Sequence, residues 1–210
     1  MSYFPLFIDL QDKACLVVGG GRIALRKLQV LQDFGASLYL TAPQILPEIL
    51  DIPGIICHRR EYSPRDLDGK TLVIAATDDA ALNRRIAADC RLRAIPVNAV
   101  DQPADCDFIF PAYLKEGEVV AAFSSGGQSP AVVQYLKEQM LPVLTPLIGQ
   151  LSAFLGELRP QVRRRTGTEE ERKRIYRDLL SCGLRRGDIP GREEIARIFP
   201  QISEKPNPFA

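Results

Sequence analysis

Ala14-Cys15-Leu16-Val17-Val18-Gly19-Gly20-Gly21-Arg22-Ile23-Ala24 is the stretch on which the fold turns. A short apolar run ends in three glycines, and Ile23, Ala24, Leu28, Leu31 and Phe34 then recur at helical spacing until Gly35 closes the helix. Ser37 to Thr41 reads as the next strand, so strand, glycine turn, helix and strand fit within about 30 residues, the length of one βαβ unit. The turn has the pattern GxGxxA. Gly19 permits the tight exit from the strand, Gly21 lets backbone approach a pyrophosphate, and Ala24 allows helix and strand to pack closely. Free amides at the helix start would face the phosphates. A bare structural turn is the alternative, but the strand before and the helix after favour a dinucleotide site.

The same alternation extends outward. Ile55 to Cys57 is a short strand candidate, Thr71 to Ala76 a buried strand, Asp79 to Arg93 a helix with Leu82, Ile86 and Cys90 on one face, and Ile95 to Val100 a strand. Strands alternating with helices predict an α/β protein with a doubly wound parallel sheet over roughly residues 1–113. The pattern then changes. Phe108 to Phe110 and Val119 to Phe123 read as two strands joined as a hairpin across Lys115 to Glu118. After Ser129-Pro130, the residues Leu136, Met140, Leu144, Leu147, Leu151, Leu155 and Leu158 form a helical stripe that Pro142 and Pro146 should break. Such a stripe is core or dimer interface. Residues 159–210 read as polar helices, and Lys205 to Ala210 as a loose tail.

Composition excludes several classes. The chain has 210 residues, enough for one to one and a half domains, with 46% hydrophobic and 25% charged residues. Twenty-seven basic against twenty-six acidic residues argue against a nucleic-acid coat or a polybasic membrane binder. No apolar run approaches the roughly 20 residues of a membrane-spanning helix. Met1 to Pro5 lacks the basic and apolar regions of a signal peptide, so none is expected. Five cysteines without CxxC spacing point to reduced thiols in a cytoplasm rather than disulfides or zinc. The single histidine, His58, disfavours a histidine metal site and a Ser-His-Asp triad.

Five segments can carry chemistry. Beyond the glycine turn, an acid that would hold the ribose is absent at the end of the second strand, where Thr41, Pro43 and Gln44 stand instead, and Thr41 or Gln44 could hydrogen-bond the ribose less strongly. No arginine cluster there replaces it to read a 2′-phosphate, so NAD is favoured over NADP. Thr77 lies at the carboxyl end of a central strand and can reach a cofactor, while Asp79 reads as a helix cap. Asp101, in Asn98-Ala99-Val100-Asp101, would point into the same crevice and could take a proton or bind a cation; a turn role is the alternative. Ser124-Ser125-Gly126-Gly127 before a helix start is an anion site or a turn. The basic run Arg163-Arg164-Arg165 is a solvated helix face or an anion partner.

Taken in order, Leu16 to Gly21, Ala75 to Asp79, Asn98-x-x-Asp101, Phe108-Ile109-x-Pro111 and Ser124-Ser125-Gly126-Gly127-x-Ser129-Pro130 resemble the precorrin-2 dehydrogenase/sirohydrochlorin ferrochelatase family, the N-terminal half of siroheme synthases. The resemblance covers about residues 3–165. It implies a Rossmann domain (1–113), a small α+β dimerisation domain (114–148) and a helical C-terminal domain (149–210), assembled as a homodimer. It implies NAD as cofactor and a tetrapyrrole substrate, with oxidation of precorrin-2 to sirohydrochlorin. Ferrous iron would enter only as a substrate, since some members insert it to give siroheme. By position, Arg22-Ile23 and Pro43-Gln44 match NAD-contacting pairs, Asp101 an aspartate implicated in both reactions, and Ser125 the second serine of the SSGG segment. Asp101 would then be the catalytic residue and at most a transient iron ligand, with no fixed metal site. Ser124, Ser125, Gly126 and Arg163 to Arg165 would meet the eight carboxylates of the substrate. A non-catalytic NAD-sensing module and a dehydrogenase of another small metabolite are the alternatives. Nucleic acid and membrane are not expected partners.

Overall fold

The structure is a computed structural model and describes residues 3–200. Met1, Ser2 and the tail expected to be loose lie outside the described residues. Compact packing divides the chain once, between Phe110 and Pro111.

The first unit opens with β1 (Ala14–Val18), α1 (Arg22–Asp33) and β2 (Ser37–Thr41). The short α2 (Pro47–Leu50) and β3 (Ile56–His58) follow, then β4 (Leu72–Ala75), α3 (Ala80–Leu92) and β5 (Val97–Ala99). The strands form one parallel sheet in the order β3-β2-β1-β4-β5. The chain leaves β1 in one direction and returns past it to β4, which makes the β1/β4 carboxyl edge the topological switch point.

Both faces of the sheet are buried, and the two-residue period of the strand sorts the side chains. Cys15, Val17, Leu38, Leu40, Leu72 and Ile74 pack with Ala24, Leu28 and Leu31 of α1. Leu16, Val18, Val73 and Ala75 pack with Ile86, Ala87 and Cys90 of α3. A strand buried on both faces must be apolar throughout, which is why β1 and β4 read as unbroken runs. Each fully buried leucine or isoleucine here contributes roughly 2–3 kcal/mol. The strand at 95–100 is shorter than expected. Pro96 stays outside it and has no amide to give to the ladder.

The second unit begins with a hairpin of β6 (Ala112–Glu116) and β7 (Val119–Phe123). The hairpin is as expected, but its first strand is not Phe108 to Phe110. Those two rings instead lie 5.6 Å apart, tilted by 49°, and pack on the α1 side of the first core. Burial of aromatic area outweighs strand propensity there. Glu116 pairs with Val119, so the loop is only Gly117-Glu118, and Gly117 takes φ +59° as a two-residue hairpin requires.

Four helices complete the unit: α4 (Pro130–Met140), α5 (Pro146–Arg165), α6 (Glu169–Arg186) and α7 (Arg192–Ile198). The leucine stripe is broken between α4 and α5 where Pro142 and Pro146 stand, as the sequence predicts. Its C-terminal part enters a core of Phe154, Leu158, Val162, Ile175, Leu179 and Phe199. Its N-terminal part does not: α4 buries none of its residues. Among the described residues no helix is long and apolar enough to cross a membrane.

Candidate functional site

The three glycines after β1 are held for three different reasons. Gly19 has φ +118°, and a Cβ there would lie 2.6 Å from the Ala76 carbonyl carbon and 3.1 Å from the Thr77 nitrogen. A Cβ on Gly20 would lie 2.9 Å from both the Gln44 carbonyl carbon and the Ile45 Cα. These two glycines let the β1 turn touch the loops after β4 and β2. Gly21 is different, since nothing lies within 4 Å of the place a Cβ would take and its φ of −91° suits any residue. Its bareness serves no contact among the described residues.

Gly21 is also the N-cap of α1, and no side chain caps that helix. The first backbone bond of the helix runs from the Leu25 N–H to the Gly21 carbonyl at 3.0 Å. The amides of Arg22, Ile23 and Ala24 therefore open at the positive end of the helix dipole, a site suited to phosphate. Arg22 and Ile23 are exposed, whereas Ala24 is fully buried against the sheet.

The loop after β2 meets this turn. Leu46 donates to the Gly20 carbonyl at 2.9 Å, and Pro43 and Gln44 are both exposed beside it. Thr41 is not available to a ribose, contrary to expectation. It is completely buried, its hydroxyl has no hydrogen-bond partner among the described residues, and its carbonyl accepts from the Gly19 N–H at 3.0 Å. As the last residue of β2 it belongs to the sheet interior.

The loop after β4 is organised by a residue that sequence reasoning missed. Asn83, 2% exposed on α3, accepts from the Thr77 hydroxyl at 2.7 Å and from the Thr77 N–H at 3.2 Å, and donates to the Thr77 carbonyl at 2.9 Å. The Thr77 side chain is thus engaged within its own loop rather than aimed at a ligand. Asp79 is the cap expected of it, accepting from the amides of Ala81 at 2.8 Å and Leu82 at 3.1 Å. The only signal for Asn83 in the sequence is a polar residue on an otherwise apolar helix face.

Asp101 follows β5 at the carboxyl edge of the same sheet. It is exposed, and its backbone is left-handed at φ +60°. Among the described residues neither a hydrogen bond nor an ion pair engages its carboxylate. His58 ends β3 and lies 4.0 Å from Asp66. Among the described residues no group of three or more His, Cys, Asp or Glu is placed to hold a metal.

In the second unit, the Ser124 hydroxyl accepts from the Gly126 N–H at 3.0 Å. The Ser125 hydroxyl donates to the Ser129 carbonyl at 3.1 Å and accepts from the Ser129 N–H at 2.9 Å. Gly126 and Gly127 both have positive φ, and Ser129 caps α4. Both serine hydroxyls therefore already shape the turn. Arg163, Arg164 and Arg165 form the last turn of α5, where cations also oppose the helix dipole; Arg163 and Arg164 are exposed.

Comparison with known proteins agrees with this geometry. Residues 6–112, just over half of the chain, match the family model described as "Putative NAD(P)-binding". The chain belongs to that NAD(P)-binding family. The matched region spans the glycine turn, the Pro43-Gln44 loop, Thr77 and Asp101. A protein of Methylobacillus flagellatus named siroheme synthase is 38% identical over 200 residues, which cover 94% of this chain and 43% of that protein. One of Thioalkalivibrio sulfidiphilus, also named siroheme synthase, is 38% identical over 200 residues, 94% of this chain and 41% of that protein. The chain thus spans about two-fifths of the length of these curated relatives. A solved structure described as SirC, precorrin-2 dehydrogenase, has the same fold, with a TM-score of 0.70 at 23% identity over 97% of this chain and 100% of that one.

Proposed function

We propose that this chain oxidises precorrin-2 to sirohydrochlorin with NAD. The observation that carries the reading is the bare Gly21 at the uncapped start of α1, on the same sheet edge as an aspartate that no other described group engages. The names of the siroheme synthase relatives support the substrate class.

Gly19, Gly21, Arg22, Ile23 and Ala24 would hold the pyrophosphate through backbone amides, and Pro43 and Gln44 would flank the adenosine ribose. Thr77, whose hydroxyl, N–H and carbonyl are held by Asn83, would border the cofactor by van der Waals contact. NAD supplies the hydride acceptor. Precorrin-2 must lose one hydrogen as hydride and one as a proton, and a carboxylate oxygen of Asp101 takes that proton and passes it to water. The tetrapyrrole carboxylates are assigned to Ser124, Ser125, Gly126, Arg163, Arg164 and Arg165. Ferrous iron enters as a second substrate and displaces two ring N–H protons, one taken by Asp101, which also serves as a transient ligand, and one by water.

We assign residues 1–113, 114–148 and 149–210 to cofactor binding, dimerisation and a helical domain, and the protein to the cytoplasm as a homodimer. Support for the dimer comes from α4, whose Val132, Tyr135 and Leu136 are exposed, as are Leu141 and Val143 after it.

The test supplies precorrin-2 and NAD and follows NADH and sirohydrochlorin. Asp101→Ala should lose on the order of a hundredfold in turnover with NAD affinity unchanged. NADH release equal to a no-protein control rejects the dehydrogenase reading. Sirohydrochlorin with ferrous iron, with and without the protein, tests the insertion step separately.

A further inference from the structure

Among the described residues only Asp12, Ala94 and Asp101 have a left-handed backbone without being glycine. An aspartate commonly offsets that conformation by bonding its side chain to nearby backbone. Asp101 does not, so neighbouring residues must impose its geometry.

The bonds that impose it lie on both sides of Asp101. Asn98, 8% exposed on β5, donates from Nδ2 to the Phe108 carbonyl at 2.9 Å and to Cys106 Sγ at 3.5 Å. Cys106 Sγ stands 3.1 Å from the Ala99 carbonyl and 3.4 Å from the Gln102 carbonyl, which directs its S–H between the two. Gln102 donates to the Ala80 carbonyl at 2.8 Å, and Asp107 exchanges bonds with Val97, through its N–H at 2.8 Å and its carboxylate at 3.0 Å. Burial is the largest influence on the Cys106 thiol and pushes it up, so the S–H persists as a donor at neutral pH. The loop 99–106 is thereby closed upon itself, with one unbonded carboxylate at its tip.

We propose that Cys106 and Asn98 are positioning residues for Asp101: the thiol, set between the Ala99 and Gln102 carbonyls and beneath the Asn98 amide, holds the loop in the one shape that presents the Asp101 carboxylate at the sheet edge. This rests on Asp101 being the base in the reading above. It assigns a function to a cysteine that touches neither cofactor nor substrate. It also makes Asp101 a site where stability is sacrificed for reactivity, since glycine is the residue that φ +60° favours.

The experiment measures melting temperature, NAD affinity and turnover of precorrin-2 on the full chain and four variants. Asp101→Gly should melt a few degrees higher than the parent, bind NAD equally and lose on the order of a hundredfold in turnover. Cys106→Ala should lose between about tenfold and a hundredfold in kcat through misplacement of the base, with NAD affinity and melting near parental. Cys106→Ser, which keeps a donor, should recover most of that loss. The double variant Asp101→Gly/Cys106→Ala should be no slower than Asp101→Gly alone, because the thiol acts through the carboxylate. A fully active Asp101→Gly protein rejects the base assignment itself. A strongly slowed Asp101→Gly beside a fully active Cys106→Ala, or additive losses in the double variant, overturns the positioning role and leaves the base assignment standing.

Discussion

The Cα of Gly20 faces the backbone of Gln44 so closely that a Cβ would overlap its carbonyl group, while the neighbouring Gly21 faces open space. Adjacent glycines thus answer to different demands, packing for one and ligand access for the other. Gly20→Ala should destabilise the fold by about 1–3 kcal/mol, the usual cost of overpacking. Gly21→Asp should do the opposite. Its extended N-cap geometry suits an aspartate, so stability should hold or rise by a few tenths of a kcal/mol, while the carboxylate repels the pyrophosphate and NAD binding is lost. Thermal melting with and without NAD separates the two, since only a binding-competent protein gains stability from the ligand.

Asn83 is the second test of the cofactor edge. Asn83→Ala removes three bonds to Thr77 and leaves buried polar groups unpaired, which should cost about 2–3 kcal/mol. Asn83→Asp cannot donate to the Thr77 carbonyl and should fall between parent and alanine. NAD affinity should weaken in the same order, read by titration well below the melting temperature.

Asp66 makes stability fall on the acid side. Burial pushes its carboxyl up, but hydrogen bonds from Arg60 and the Ser63 N–H, with the charges of Arg60 and His58, outweigh this and hold it below the ordinary value of 3.8. A carboxyl depressed in the folded state contributes stability that is complete above its unfolded pKa and is lost as pH falls through the folded one. Unfolding free energy should therefore decline below about pH 4, and Asp66→Asn should flatten that decline while costing about 2 kcal/mol at pH 7. Urea titrations from about pH 3 to about pH 7 check both.

The face of α4 tests assembly. Tyr135 and Leu136 are 59% and 43% exposed on a helix with no buried residue. Replacing both with glutamate should leave the monomer fold intact, because neither side chain supports the core. The same change should convert a sedimenting dimer into a monomer, since buried charges without partners cost far more than the apolar contacts they replace. A parent protein that sediments as a monomer at micromolar concentration removes the dimer from the proposal.

The course of residues 106–112 shows where local pattern fails. Phe108-Ile109-Phe110 is the better strand by propensity, yet Phe108 and Phe110 pack against α1 and the Lys27 ammonium stands 3.7 Å over the Phe110 ring. The strand falls instead on Ala112 to Glu116, which has the hairpin partner. Pairing and burial between distant segments overrode the intrinsic preference of a short stretch.

Local pattern along the chain was enough for the parallel α/β frame, the glycine turn between β1 and α1, the Asp79 cap, the hairpin and the break at Pro142 and Pro146. Each of these depends on periodicity or turn chemistry within a few residues. Packing in three dimensions was needed for the rest: which glycine is bare, that Thr41 is sealed in the sheet, that Asn83 holds the Thr77 hydroxyl, and that Asp101 is left-handed and, among the described residues, unbonded while Cys106 and Asn98 bind its loop. Those facts turn on which atoms from separate elements come within bonding distance. A buried polar atom takes its partner from wherever packing places one, and no pattern along the chain encodes that distance.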